Sequence, residues 1–217
     1  MPNSIQTVLD QVAKKIVPSM AETERMSRLA ERLKSQVQEI LDKARFGGKA
    51  SILSSLHALG GDFKPVEGEN VHLTLKFLGN VSPPRLVEVK SSLKQLTFPS
   101  FTAEIKGAGA FPNLKRMNVI WVGVNEGWTQ VEQIYEQVEK LLSGVGFRRE
   151  NRPFSPHITI ARVRSGRKRD EIASFLQHLS DESFGTITLD QVRLKQSILS
   201  SSGPRYSTLL EVPSQSR

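Results

Sequence analysis

The sequence contains no cysteine. That removes disulfide frameworks and thiolate metal sites, and it fits a reducing, cytoplasmic setting. No run approaches the ~18 consecutive apolar residues of a membrane-spanning helix. The opening segment is amphipathic and carries Asp10, Lys14 and Lys15, so it does not read as a signal peptide. A glycine-rich loop followed by Lys-Ser or Lys-Thr is also lacking, and nucleotide hydrolysis of the P-loop type is therefore not indicated. With no clustered Asp, Glu and His to replace cysteine, the three or four ligands of a zinc site are not supplied. Neither metal nor cofactor is expected.

What is present is positive charge. The chain has 217 residues, enough for one domain or one plus a small appendage, and a net charge of +8. The charge is concentrated: Arg148, Arg149, Arg152, Arg162, Arg164, Arg167, Lys168 and Arg169 stand against Glu150 alone between residues 148 and 169. A basic run is often only a solvated loop. This one brackets a histidine-bearing strand pattern, which points to a phosphate-bearing partner.

Hydrophobic spacing predicts two amphipathic helices over 5–17 and 20–44, with "RFGGKAS" as the boundary behind them. A short helix from Ala50 to Leu59 follows, then the alternating segment "VHLTLKF", with Val71, Leu73, Leu75 and Phe77 facing inward. "SPPRLVEVKSSLKQL" reads as a helix with Ser82 as cap and Pro83 in its first turn. "FTAEIKGAGAF" and "MNVIWVGV" read as strands, the second nearly all apolar and so central. Residues 128–143 form a helix, "HITIARV" a strand, 170–179 a helix, "FGTITLDQVRLKQS" one long strand or two, and "RYSTLLEV" the closing strand. The expected fold is α+β: mostly antiparallel sheets, helices outside. His72 to Phe101 and His157 to Phe184 span 29 and 27 residues with the same element order, which suggests a duplicated, bilobed unit about a pseudo-twofold axis and a central groove.

The chain has four histidines, and two of them sit in matching triplets, His72-Leu73-Thr74 and His157-Ile158-Thr159. Side chains alternate along a strand, so each histidine shares a face with its threonine while Leu73 and Ile158 point inward. His57 and His178 lie in helical segments without such partners and read as ordinary surface or boundary residues. Two facing histidines suit acid–base chemistry near neutral pH, and threonine hydroxyls can hold the oxygens of an anion between them. Phe111, Phe154 and Tyr206 are candidates for stacking on a base, and Arg162 and Arg164 for contact with phosphate. Strict alternation, however, puts Arg162 on the Ile158–Ile160 face, away from the histidines.

With "ENVHLTLKFLGNV", "GAGAFPNLKRMNVIWVGV", "LLSGVGFRRENRPFSPH" and "SPHITIARV", the chain resembles the two-histidine phosphoesterase superfamily, and within it the RNA 2′,3′-cyclic phosphodiesterase (2′-5′ RNA ligase) family. The resemblance runs over about residues 50 to 212. It implies a metal-free enzyme that opens terminal cyclic phosphates on RNA to 2′-phosphates, with a weak reversible 2′-5′ joining activity. It also implies His72 and His157 as the catalytic pair and Thr74 and Thr159 as phosphate-oxygen donors, with His157 activating water and His72 protonating the leaving oxygen. The expected partners are RNA ends, tRNA fragments among them, with no membrane and a monomeric state.

Two features depart from that family. No Arg-x-Phe-Ile-Ala strand precedes the first helix, and Asn118 stands where a basic residue is common. The first 45 residues are instead similar to the opening helices of archaeal-type CCA-adding tRNA nucleotidyltransferases, without the motifs that carry nucleotidyl transfer. Their amphipathic stripes read as packing surfaces. The expected organisation is a helical segment over 1–46, a phosphoesterase domain over 47–213 and a tail over 214–217. A catalytically impaired RNA-binding protein remains the alternative, and a third option is a phosphodiesterase for small cyclic phosphates or 2′-5′-linked oligonucleotides.

Overall fold

The computed structural model describes residues 51–200 and 203–215; the two helices expected over 5–17 and 20–44, and the segment where a leading strand would stand, lie outside them. The first helix, α1 (Ile52–Ala58), starts where the Ser51 hydroxyl accepts the Ser54 amide at 3.2 Å. It buries Ile52 and Leu56 completely. Gly60, with φ +74°, turns the chain out of it. Next come β1 (Phe63–Pro65), a single 3₁₀ turn over Gly68–Asn70 and α2 (Pro83–Leu93), with Ser82 as its cap and prolines in its first turn. The hairpin of β2 (Phe101–Asn113) and β3 (Arg116–Val124) leads into α3 (Trp128–Gly144). After it come β4 (His157–Val163), α4 (Arg169–His178), β5 (Ser183–Leu189), β6 (Gln191–Ser200) and β7 (Gly203–Pro213).

Five strands form one sheet in the order β1-β4-β3-β2-β5, every neighbouring pair antiparallel. The nearly all-apolar β3 is central, as its sequence requires. The "FGTITLDQVRLKQS" segment divides at Asp190 into strands of different sheets, because among the described residues β6 pairs with β7 alone. Two apolar clusters follow. One packs α1 and α4 against Ile105, Ile120, Val122, Ile158 and Ile160 of the large sheet. The other joins α2, α3 and the β6–β7 ribbon around Val89, Leu93, Ile134, Val138 and Leu142, and Leu75 touches both. The result is a mixed α+β fold with antiparallel sheets. No helix among the described residues is long and apolar enough to cross a membrane.

One expected element differs. Residues 71–77 do not form a regular strand: the segment is tied to the sheet by the single antiparallel bridge Leu73–Ile158. Val71, Leu73 and Leu75 pack inward as their alternation predicts, but Phe77 is 86% exposed. The reason is Lys76, which turns inward in its place. Its Nζ lies 2.5 Å from Glu139 Oε1 on α3 and 2.9 Å from the Arg148 carbonyl, with the two side chains only 9% and 2% exposed. The second Glu139 oxygen accepts the Glu150 amide at 3.1 Å. One buried ion pair therefore fastens the segment carrying His72 to α3 and to the loop that leads to His157.

Removing one member of a buried pair strands the other charge, at a cost of about 3–5 kcal/mol, whereas an apolar replacement of both is far milder. Lys76→Met should lower the unfolding free energy by about that amount in a denaturant titration, and Lys76→Met/Glu139→Leu should regain most of it.

Candidate active site

The Leu73–Ile158 bridge sets the geometry. Residues directly opposite in an antiparallel pair share a face. Extending the register by one position either way puts His72 opposite Thr159 and Thr74 opposite His157. All four side chains thus lie on the face that Leu73 and Ile158 leave, with the histidines on one diagonal and the threonines on the other.

Both imidazoles are held in the same manner. His72 Nδ1 lies 2.6 Å from the Asn70 carbonyl, and His157 Nδ1 lies 2.7 Å from the Ser155 carbonyl. A carbonyl only accepts, so Nδ1 carries the proton in each case and Nε2 keeps the free lone pair of the neutral ring. Solvent reaches the His72 ring, yet enough protein surrounds it that lost hydration holds its pKa below the ordinary 6.5; the positive charges of Lys195, Arg162 and His157 push the same way, against the Asn70 hydrogen bond.

The influence of Arg162 corrects the expectation from strict alternation. Ile120 pairs with Ala161 but Trp121 pairs with Thr159, so Ile160 is the extra residue of a β-bulge. Ile158, Ile160 and Ala161 are all buried, and Arg162 emerges exposed on the histidine face. It forms no ion pair with any described residue. Arg164 lies past the end of β4, its amide donating to the Asp62 carbonyl at 2.9 Å. Its charge is not among those acting on His72.

Aromatic groups flank the two histidines differently. Phe111 meets His157 edge-on at 4.8 Å, and the Trp121 ring is 6.3 Å from it. Tyr206 lies 5.9 Å from His72, with Lys195 Nζ 5.8 Å from the tyrosine ring. Phe154 is not part of this group; it stacks on Tyr135 of α3 at 4.0 Å. His57 packs against Phe63 and His178 bonds to the Ser174 carbonyl, both away from the site as expected. Trp121 and Lys195 were not legible as site residues. The only signal for Trp121 was its alternation with Gly123 on a central strand; Lys195 gave none. Among the described residues no three His, Cys, Asp or Glu side chains gather as a metal site requires.

A family model described as LigT-like phosphoesterase matches residues 49–121 and 122–206, one match over each His-x-Thr segment. The chain belongs to the LigT-like phosphoesterase family. A family relative named RNA 2′,3′-cyclic phosphodiesterase, from Aeropyrum pernix, is 39% identical over 170 residues, covering 78% of this chain and 97% of its own length. A protein of the same name from Archaeoglobus fulgidus is 40% identical over 161 residues, covering 73% and 87%. The fold matches that of Escherichia coli LigT complexed with 3′-AMP, with a TM-score of 0.61 at 23% identity over 76% of this chain and 90% of that one.

Gly109 gives the site a checkable feature. A Cβ there would lie 2.4 Å from Trp121 Cζ2, so the indole lies directly on the backbone of β2. Gly109→Ala should displace the indole from its bed, at about 1–3 kcal/mol of stability. In a Trp128→Phe background, which leaves Trp121 as the sole tryptophan, the tryptophan emission should shift to longer wavelength.

Proposed function

We propose that this protein is an RNA 2′,3′-cyclic phosphodiesterase that opens terminal cyclic phosphates to 2′-phosphates through His72 and His157. The observation that carries the reading is the diagonal placement of two histidines and two threonines on one face around the Leu73–Ile158 bridge. A phosphoryl group held between them meets an imidazole on each side and a hydroxyl beside each imidazole.

The chemistry follows from the tautomers. With Nδ1–H committed to a backbone carbonyl, neutral His157 accepts a proton from water at Nε2 as the water oxygen attacks phosphorus. Protonated His72 gives its Nε2 proton to the ribose O3′ as the phosphorus–O3′ bond breaks, leaving the 2′-phosphate. Thr74, Thr159 and Arg162 stabilise the charge gathered on the non-bridging oxygens; Arg164 reaches an adjoining phosphate. If an RNA 5′-hydroxyl replaces water, the same steps form a 2′-5′ linkage, the possible ligase activity.

Each His-x-Thr segment is followed by a helix and then by a strand of the large sheet, α2 and β2 after His72, α4 and β5 after His157. This order supports a duplicated unit related by a pseudo-twofold axis. On this reading residues 47–213 are the catalytic domain and 1–46 an appended helical segment. The protein works as a monomer, because its groove is built within one chain. The thin pairing of residues 71–77 favours one second reading, an RNA-binding protein without turnover.

The test is hydrolysis of an oligonucleotide ending in a 2′,3′-cyclic phosphate, with EDTA present. His72→Ala and His157→Ala should each lose about 10²–10⁴-fold in rate. Full turnover by either variant would overturn the two-histidine mechanism, and an inactive wild type that still binds RNA would establish the second reading.

The pH profile separates the roles. A neighbouring positive charge disfavours protonated His72, so Lys195→Gln should raise its pKa. With His72 as the acid, the alkaline limb of kcat/KM moves to higher pH. Movement of the acid limb instead would make His72 the base.

A further inference from the structure

We infer that the RNA upstream of the cyclic phosphate crosses the Trp121 indole and enters a basic cleft at the outer edge of β2, so the protein grips an oligonucleotide and not only its terminal residue. This inference rests on the phosphodiesterase reading and names where the body of that substrate goes.

The cleft exists because β2 outruns its neighbour. β5 pairs with β2 only from Phe101 to Lys106. At Ala108 the β2 amide bonds instead to the Leu179 carbonyl just beyond α4. From Gly109 to Asn113, α4 replaces a strand along that edge, and an open cleft of about 1090 Å³ lies between them. Small-molecule sites usually run to about 300–1,000 Å³, so this one has room for more than a single nucleoside.

Three cations line it: Lys115 and Arg116 at the tip of the β2–β3 hairpin and Arg169 at the start of α4, with no acidic residue in the lining. None of the three forms an ion pair with a described residue. An uncompensated set of this kind suits a polyanion.

Continuity with the active site comes from Trp121. Its indole lies on Gly109 and so reaches across β2 to the outer edge, where it lines the cleft. The same ring is 6.3 Å from His157. A strand leaving the catalytic face therefore meets a flat aromatic surface and then three cations, the combination that holds single-stranded nucleic acid through base stacking and phosphate contacts.

The experiment compares kcat/KM for a 2′,3′-cyclic mononucleotide and for a short oligonucleotide with the same cyclic end. The variant is Lys115→Gln/Arg116→Gln/Arg169→Gln. Oligonucleotide hydrolysis should fall by at least about tenfold while mononucleotide hydrolysis holds, and the slope of log affinity against log salt should flatten by about 2. The control Lys90→Gln/Lys94→Gln/Lys140→Gln removes equal charge from α2 and α3 and should leave the ratio of the two substrates unchanged. An equal loss on both substrates, an unchanged ratio in the cleft variant, or a control that behaves like it would overturn the inference. A wild type inactive on both would defeat the phosphodiesterase reading instead. In that case fluorescence anisotropy with a 3′-phosphorylated oligonucleotide decides, and equal affinity of wild type and cleft variant would overturn the cleft.

Discussion

A single antiparallel contact, Leu73 against Ile158, brings the two His-x-Thr segments together and sets the facing of their side chains. Two segments more than 80 residues apart in sequence meet there, and the pleat of each turns its histidine and threonine to the same side. One bridge is a weak fastening. Apolar packing of Val71, Leu73 and Leu75 helps to hold the segment, and the buried Lys76–Glu139 pair pins its far end. Because that pair also accepts the amide of Glu150, the loop entering β4 is tied to the same anchor. The segments that carry His72 and His157 both hang from one polar junction in an apolar surround.

That junction also explains the uneven architecture. The large sheet needs no such device, since each of its strands is joined to a neighbour by a run of paired residues and both helices α1 and α4 cover its inner face. The β6–β7 ribbon has no strand of its own on the side of His72 among the described residues, and it lends Tyr206 and Lys195 to that histidine instead. His157 meets Phe111 and Trp121; His72 meets a phenol and cations. The two His-x-Thr segments thus give their histidines different surroundings.

The periodic parts of the sequence were legible. Alternation identified β4, a nearly all-apolar run identified β3 as central and helical spacing marked the helices, while the shared face of His72 with Thr74 and of His157 with Thr159 followed from the period of two. The exceptions each arose where tertiary structure overruled period. Alternation made Phe77 an inward residue, but a carboxylate on a helix far along the chain drew Lys76 in. The bulge at Ile160 moved Arg162 to the face of His157 and Thr159, and nothing local in "HITIARV" marks it. Trp121 became a site residue because a glycine on the neighbouring strand left it a place to lie, a relation between two strands that neither sequence segment carries alone.

The bulge at Ile160 makes β4 a strand with two parities. Odd-numbered His157 and Thr159 lie on one face before it, and even-numbered Arg162 on the same face after it. Losing one residue between Thr159 and Arg162 would remove the bulge and leave a regular pleat, with the guanidinium still on the face of His157 and Thr159. Losing two would set Arg162 directly after Thr159 and turn it to the opposite, apolar face. The strand can therefore give up its one extra residue without changing the face its arginine takes, but it cannot give up two.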